Sequence, residues 1–238
     1  MRSGSELPQA YLASWSGGKD SCFACYKAIQ SGKAITGLMN CISRENGRVS
    51  FHGIDRRLVQ AQAGLLGLPL LQKETTPERY EAEFKEGVQE LGQGRGITGM
   101  IFGDIYLDEH LAWVEGVCTD IGITAVEPLW GLDTSVLIRE FINAGFRSAI
   151  IAGKADAIDR EWIGRTIDHD FVDYIMKKPD VDPCGERGEY HTLVVGGPLF
   201  QGEIEITSTE IVELNGYRFL DVQDFNVHHE SNTEIERR

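Results

Sequence analysis

Ser16-Gly17-Gly18-Lys19-Asp20-Ser21 gathers two glycines, a lysine, a carboxylate and two hydroxyls into six residues. The apolar run Ala10-Tyr11-Leu12-Ala13 precedes it, and a helix-like stretch from Ser21 to Gln30 follows. Glycines between a strand and a helix start let the backbone come close to an anion, and the first N–H groups of the helix point at it. Lys19 adds a point charge on a mobile stem, and the Ser16 and Ser21 hydroxyls can donate to phosphate oxygens. The ligand this suits is a triphosphate. It is not the usual phosphate loop, G-x-x-x-x-G-K-[S/T], because Ala13 stands where the first glycine belongs and Asp20 follows Lys19. A plain strand-to-helix turn would also use Gly and Ser, but six such residues in this context favour the anion site.

Other residues could supply the remaining chemistry. Asp20 and Asp104, in Gly103-Asp104-Ile105, stand at predicted strand ends. Bound ATP brings Mg²⁺, which takes one or two carboxylates besides phosphate oxygens and water. An Asp after a strand is also a common helix cap. Glu127-Pro128-Leu129-Trp130 closes another strand, as a turn with an aromatic plug or as a substrate wall. The most unusual string is Cys184-Gly185-Glu186-Arg187-Gly188-Glu189-Tyr190-His191-Thr192. A flexible charged loop accounts for its glycines and charges, but not for a His-Thr pair entering an apolar run. Cys22-Phe23-Ala24-Cys25 invites redox or metal readings, yet it lies in the first turns of the predicted helix, where small apolar residues pack well. A metal site would need two more ligands at matching spacing. We read this pair as core.

The elements that must position these groups alternate along the first half. Ile35 to Ile42, Leu68 to Leu71, Gly99 to Asp104 and Thr124 to Val126 read as strands after the first. Between them, Ile54 to Leu66, Thr76 to about Leu91 and Glu109 to Ile121 carry helical periodicity. Strands alternating with helices predict a parallel, doubly wound α/β sheet, with ligands beyond the carboxyl ends of its strands. We place this unit at residues 9–128. A second, smaller α/β unit spans 129–226. In it Asp133 or Thr134 caps a helix through Phe141 that Gly145 stops, Arg147 to Ala152 is a strand, and Ile158 to Met176 is mostly helical. Leu193 to Val195, Ile204 to Ile206, Glu210 to Leu214 and Tyr217 to Leu220 are short strands, the last two joined by the hairpin turn Asn215-Gly216. Residues 227–238 read as a polar, frayed tail.

The totals narrow the function classes. A net charge of -14 repels nucleic-acid backbones, and the densest basic spots are only Arg56-Arg57, Lys177-Lys178 and Arg237-Arg238. Direct nucleic-acid binding is therefore disfavoured. Five cysteines, a polar Met1 to Gln9 and the lack of an 18-residue apolar run point to a reducing cytoplasm and no membrane span. A homo-oligomer is compatible with all of this.

The hexapeptide resembles the SGGxDS loop of the ATP pyrophosphatases, the PP-loop family. Taken with Phe51-His52-Gly53-Ile54, Gly103-Asp104-Ile105, Glu127-Pro128-Leu129-Trp130 and Gly188-Glu189-Tyr190-His191-Thr192 in that order, the chain is similar to the diphthine–ammonia ligase family from about Tyr11 to Phe225. The resemblance implies a PP-loop, HUP-like nucleotide domain followed by a smaller domain that builds the substrate side. It implies amidation: ATP adenylates a carboxylate, and ammonia then displaces AMP. In the ligase proper that carboxylate belongs to diphthine, a modified histidine of a translation elongation factor. Carried over, Ser16 to Ser21 with Gly103 and Asp104 hold ATP, Asn40 and Cys41 lie beside adenine, and Asp20 and Asp104 organise Mg²⁺. Lys19, Asp20, Glu186, Glu189 and His191 are then catalytic, and Glu127, Trp130, Arg187, Tyr190 and Thr192 meet substrate. A universal-stress-type ATP sensor would keep the glycine loop without needing Glu186 to Thr192, and a PP-loop thiolation enzyme would use Cys22 and Cys25 beside a basic face. One departure stands out. The ligases of eukaryotes and archaea are expected to read Glu-Gly-Gly-Glu-Tyr-Glu-Thr, where this chain has Arg187 for the first Gly and His191 for the third Glu. That form resembles a bacterial branch linked to cobalamin-related amidation, which points to an anionic small molecule as the alternative acceptor.

Overall fold

A computed structural model describes residues 9–50 and 52–230. Phe51, residues 1–8 and residues 231–238 of the expected tail lie outside the described residues.

Alternation of apolar runs with amphipathic segments builds the first unit. Its elements are β1 (Ala10–Ser14), α1 (Lys19–Gln30), β2 (Ala34–Ser43), α2 (Arg56–Leu66), β3 (Leu70–Thr75), α3 (Tyr80–Gly92), β4 (Ile97–Ile101), α4 (Asp108–Ile121) and β5 (Thr124–Val126). The strands form one parallel sheet in the order β3-β2-β1-β4-β5. β1 is central, and its side chains alternate between two cores because strand residues have period two. Tyr11, Ala13 and Trp15 join Cys22, Phe23, Leu58 and Val59 of α1 and α2 on one face. Leu12 joins Phe84, Val88, Val114 and Val117 of α3 and α4 on the other. The chain runs outward from β1 to β3, then crosses to β4 on the far side of β1. That reversal opens a crevice at the carboxyl ends of β1 and β4.

The second unit contains α5 (Thr134–Asn143), β6 (Arg147–Lys154), α6 (His169–Ile175), β7 (Tyr190–Gly196), β8 (Gly202–Leu214) and β9 (Tyr217–His229). β6, β7, β8 and β9 are antiparallel and close on one another. Ile150, Leu193 and Val222 belong to the same buried cluster as the α1 and α2 residues, so the closed sheet packs on that face of the parallel one. Asp133 caps α5 through Ser135 and Val136 N–H groups. Asn215 and Gly216 have φ of 52° and 80°, the left-handed pair a two-residue hairpin turn requires.

Three sequence expectations change. Ile158 to Met176 is not one helix: Arg160–Trp162 is a short 3₁₀ turn, Gly164 turns at φ 90°, and Arg165 to Ile167 run extended along β6. The helix begins only at His169, where Asp168 caps it by accepting from Phe171 N–H. The two strands expected around 204 and 210 are one, with register shifts at Ser208. Val227 to His229 are not frayed but pair with Gly202 to Ile204. Their polar character reflects an exposed hairpin. Among the described residues no helix is long and apolar enough to cross a membrane.

Candidate active site

The glycine loop sits where the crevice predicts, at the end of β1. Gly18 caps α1 with no side-chain hydrogen bond, so the helix start faces the crevice. Within the loop, Ser16 N–H donates to Ser21 Oγ at 3.3 Å, Gly18 N–H donates to Ser16 Oγ at 3.3 Å, and Ser21 Oγ donates to the Gly18 carbonyl at 3.1 Å. Gly17 turns at φ 85°. Close neighbours exclude side chains around the loop. A Cβ at Gly18 would lie 3.2 Å from the Thr192 carbonyl, and one at Gly103 would lie 2.8 Å from Ser21 N.

β7, from the second unit, holds this loop. Lys19 N–H donates to Thr192 Oγ1 at 2.9 Å, and Val194 N–H donates to the Gly17 carbonyl at 3.0 Å. Gln62 of α2 completes the clamp from a fully buried position. Its amide donates to the Gly17 carbonyl at 2.9 Å and the Val194 carbonyl at 2.6 Å, while its oxygen accepts from Trp15 Nε1 at 2.9 Å.

The string before β7 folds over the loop as a lid of fixed shape. Asp182 Oδ1 accepts from the N–H groups of Cys184 and Glu186, and Asp182 Oδ2 accepts from the Thr134 hydroxyl. Glu189 is buried and accepts from the Asp182 and Arg187 N–H groups, both at 3.0 Å. Gly185 turns at φ 71°, where a Cβ would meet the Tyr190 ring at 2.7 Å. The Tyr190 hydroxyl donates to the Pro183 carbonyl at 2.6 Å. Lys19 ties lid to loop: its ammonium binds the Cys184 carbonyl and lies 2.8 Å from Asp20 Oδ2 and 5.0 Å from the Tyr190 ring centroid. Expected as a mobile charge, Lys19 is only 3% exposed. Burial alone would lower its pKa, but Asp20, Cys184 and Glu186 outweigh that and raise it, so it stays cationic.

Loop and lid wall a cavity of about 910 Å³. One end is apolar, lined by Met39, Phe84, Phe102, Trp113 and Val114, with Asn40 and Cys41 beside it. Asn40 is spent on structure, donating to the Trp15 carbonyl at 2.8 Å and accepting from Gln72 at 3.1 Å. Burial pushes the Cys41 thiol up to about 11. The other end carries four carboxylates, Asp20, Asp104, Glu109 and Glu186. Glu186 reaches across the crevice to accept from Ile105 N–H at 2.8 Å. Burial, then the Asp20 charge, pushes its carboxyl up to about 7. Burial also raises Asp20, against the pull of Lys19. His110 Nδ1 lies 3.0 Å from Asp104 Oδ1, and that bond chiefly raises the His110 pKa. His52 and His191 meet edge to face, their ring centroids 4.7 Å apart. Burial, reinforced for both by Lys19, lowers them to about 3 and about 4, so both are neutral at ordinary pH.

Several expected site residues stand elsewhere. Glu189 does not line the cavity; both its oxygens hold the lid. Tyr190 and Thr192 touch the cavity but spend their polar groups on Pro183 and Lys19. Glu127 and Trp130 lie outside the lining, beyond the edge strand β5, where the turn lets Gly131 N–H donate to the Ile105 carbonyl at 2.7 Å. Gly17 lies behind the loop, facing Gln62. Arg187 lines the cavity, although its Nε already donates to Glu189 at 3.1 Å and its Nη2 to the Asp180 carbonyl at 3.2 Å. Cys22 and Cys25 are buried thiols whose pKa values burial raises.

Gln62, Asp182 and His110 are the residues that sequence reasoning passed over. A signal existed for two of them. Gln62 interrupts the apolar face of Leu58 and Leu65, and Asp182-Pro183 before Cys184-Gly185 has the composition of an Asx turn. For His110, six residues after Asp104 on an exposed helix turn, nothing local marks it.

A family model described as the diphthamide synthase N-terminal domain matches residues 10–125, and one described as the diphthamide synthase C-terminal domain matches 133–225. The chain belongs to the diphthamide synthase family. Its relatives include proteins named diphthine--ammonia ligase from Homo sapiens, 29% identical over 83% of this chain and 82% of that protein, and from Danio rerio, 27% identical over 83% and 86%. One of the same name from Schizosaccharomyces pombe is 26% identical over 83% of this chain but only 36% of its own length. Among solved structures, a predicted subunit of tRNA methyltransferase from Methanocaldococcus jannaschii is 16% identical at a TM-score of 0.44, covering 79% of this chain and 98% of that one. The two family segments supply opposite walls of one cavity: the glycine loop comes from the first, and the lid with His191 from the second.

Proposed function

We propose that this family member is an ATP-dependent, AMP-forming amide ligase of the diphthine–ammonia ligase kind. One observation carries the reading: the glycine loop and the Glu186 lid are hydrogen-bonded into a single cavity, so a nucleotide and an acceptor would meet there. A sensor that only bound ATP would have no use for a second unit clamped onto its phosphate loop. Residues 9–128 are the nucleotide domain and 129–226 the acceptor-side domain in this account.

The triphosphate rests on Ser16 to Ser21, and adenine fills the apolar end beside Asn40 and Cys41. Asp20 and Asp104 offer the carboxylate oxygens Mg²⁺ prefers, and when bound it supplies charge that offsets the triphosphate. The acceptor carboxylate attacks the α-phosphorus, and the bond to the β,γ-pyrophosphate breaks. Loop N–H groups and Lys19 stabilise the departing pyrophosphate, where charge develops. Ammonia then attacks the acyl carbon, AMP leaves, and the nitrogen loses a proton that neutral His191 is placed to accept. Glu186 faces the acceptor, and Glu189, Tyr190 and Thr192 keep the lid in register.

The acceptor is diphthine on an elongation factor by family, with ammonia free or delivered by a partner. Arg187 at the cavity rim favours a second reading, an anionic small molecule, because a guanidinium suits carboxylates and phosphates and repels the trimethylammonium of diphthine. Comparing kcat/KM for a diphthine-bearing elongation factor with that for polycarboxylated metabolites separates the two. Efficient diphthine amidation keeps the family substrate; poor diphthine turnover beside efficient metabolite amidation assigns the other. Formation of AMP and pyrophosphate tests the reaction class, and ADP with orthophosphate as sole products would reject it. The cytoplasm suits an enzyme with five free cysteines.

A further inference from the structure

The acidic end of the cavity has a ligand set that phosphate binding alone does not call for. One donor atom each from Asp104, His110 and Glu186 lies within 4.8 Å of the others. The three come from separate places: the loop after β4, the first turn of α4, and the lid of the second unit. Asp104 is not there as a helix cap, since Leu107 precedes α4 and no side chain caps it. Charge balance points the same way. The cavity presents four carboxylates against the cations Lys19 and Arg187, and both of these already bind carboxylates, Asp20 and Glu189. A further cation would offset that surplus when a polyanion binds.

We propose that Asp104, His110 and Glu186 form a divalent-cation site with a preference for a first-row transition ion such as Mn²⁺ over Mg²⁺. Two carboxylates suit any hard dication, whereas an imidazole ligand shifts preference toward the transition series. The site joins the two halves of the molecule, because two ligands come from the parallel-sheet unit and Glu186 from the lid. Its cation would order the lid as well as balance charge. The cation's place beside a triphosphate rests on the ligase reading, but its binding to nucleotide-free protein does not.

Electron paramagnetic resonance of Mn²⁺ titrated into chelator-stripped, nucleotide-free protein tests the site directly. One Mn²⁺ per chain is expected, with Mg²⁺ displacing it only in large excess. His110→Ala, at a half-exposed position that leaves the core untouched, should weaken Mn²⁺ binding about tenfold or more. Glu186→Gln should weaken it too, with the unfolding transition of each variant confirming a folded chain. No Mn²⁺ uptake by the stripped protein, or uptake with unchanged affinity in His110→Ala, overturns the proposal. Either result leaves the AMP-forming reaction to be judged by its own products.

Discussion

Lys19 does two things that its place in a glycine loop would not reveal. Its backbone N–H and its ammonium both bond to the second unit, through Thr192 and Cys184, while the residue lines the cavity beside the glycine loop. Lys19→Ala should therefore lower kcat by more than it raises KM for ATP, since a group acting on the leaving pyrophosphate is felt mainly in the transition state. Steady-state kinetics against ATP check this, and an unchanged kcat would remove Lys19 from the chemistry. His191 gives a second test. Burial, reinforced by Lys19 and Lys154, keeps the ring neutral beside His52. Its NMR titration should centre near pH 4 rather than at the ordinary 6.5. The unfolded chain binds protons at these two histidines between pH 6.5 and about 4 while the folded one does not, so stability falls as pH drops through that window. His191→Gln should flatten that part of the stability profile, and an unaltered profile would contradict the assignment.

The elements carry the clamp. Gln62 bonds three groups that have no solvent to fall back on, so Gln62→Leu should destabilise the fold by about 3 kcal/mol, as expected for orphaned buried polar groups. It should also raise KM for ATP through a loosened Gly17; urea unfolding and kinetics read the two effects separately. α3 is held differently. Glu83 accepts from Thr76 N–H at 2.9 Å and from Arg44 at 2.8 Å, which sets the height at which Tyr80 and Phe84 reach the cavity. The Thr76 bond, with Arg44 and Arg79, holds this carboxyl below its ordinary 4.5 against the opposing effect of burial. The stability it contributes is present above pH 4.5 and lost as pH falls through the lower folded value. Thermal melts of Glu83→Gln should therefore differ from the parent at pH 7 and converge with it in acid. A gap that stays constant would show that packing, not ionisation, is at stake.

Legibility follows from how local each constraint is. The glycine loop is contiguous, its strand and helix flanks announce themselves, and the 3-2-1-4-5 order is the usual answer to such alternation. The lid was legible as a site by composition, yet nothing in the string separates Glu186, which reaches into the cavity, from Glu189, which turns away. Gly185 and Gly188, both at positive φ, break any period that would assign faces. β8 and β9 hid for a related reason: their exposed alternation looks like short strands and a polar tail, and only cross-strand pairing extends them.

At the scale of the whole molecule, two units share one core on the α1 and α2 face and one cavity at the strand ends. A chain of this acidity, with 37 acidic against 23 basic residues, builds this cavity around a buried lysine and a surplus of carboxylates. In the reaction we propose, an acceptor carboxylate attacks the α-phosphorus of ATP in that cavity. Isotope transfer tests it most directly. With an acceptor bearing an ¹⁸O-labelled carboxylate, ATP, Mg²⁺ and ammonium, the expected products are AMP carrying one ¹⁸O atom, unlabelled pyrophosphate and an amide. Unlabelled AMP, or label appearing in orthophosphate beside ADP, would contradict it.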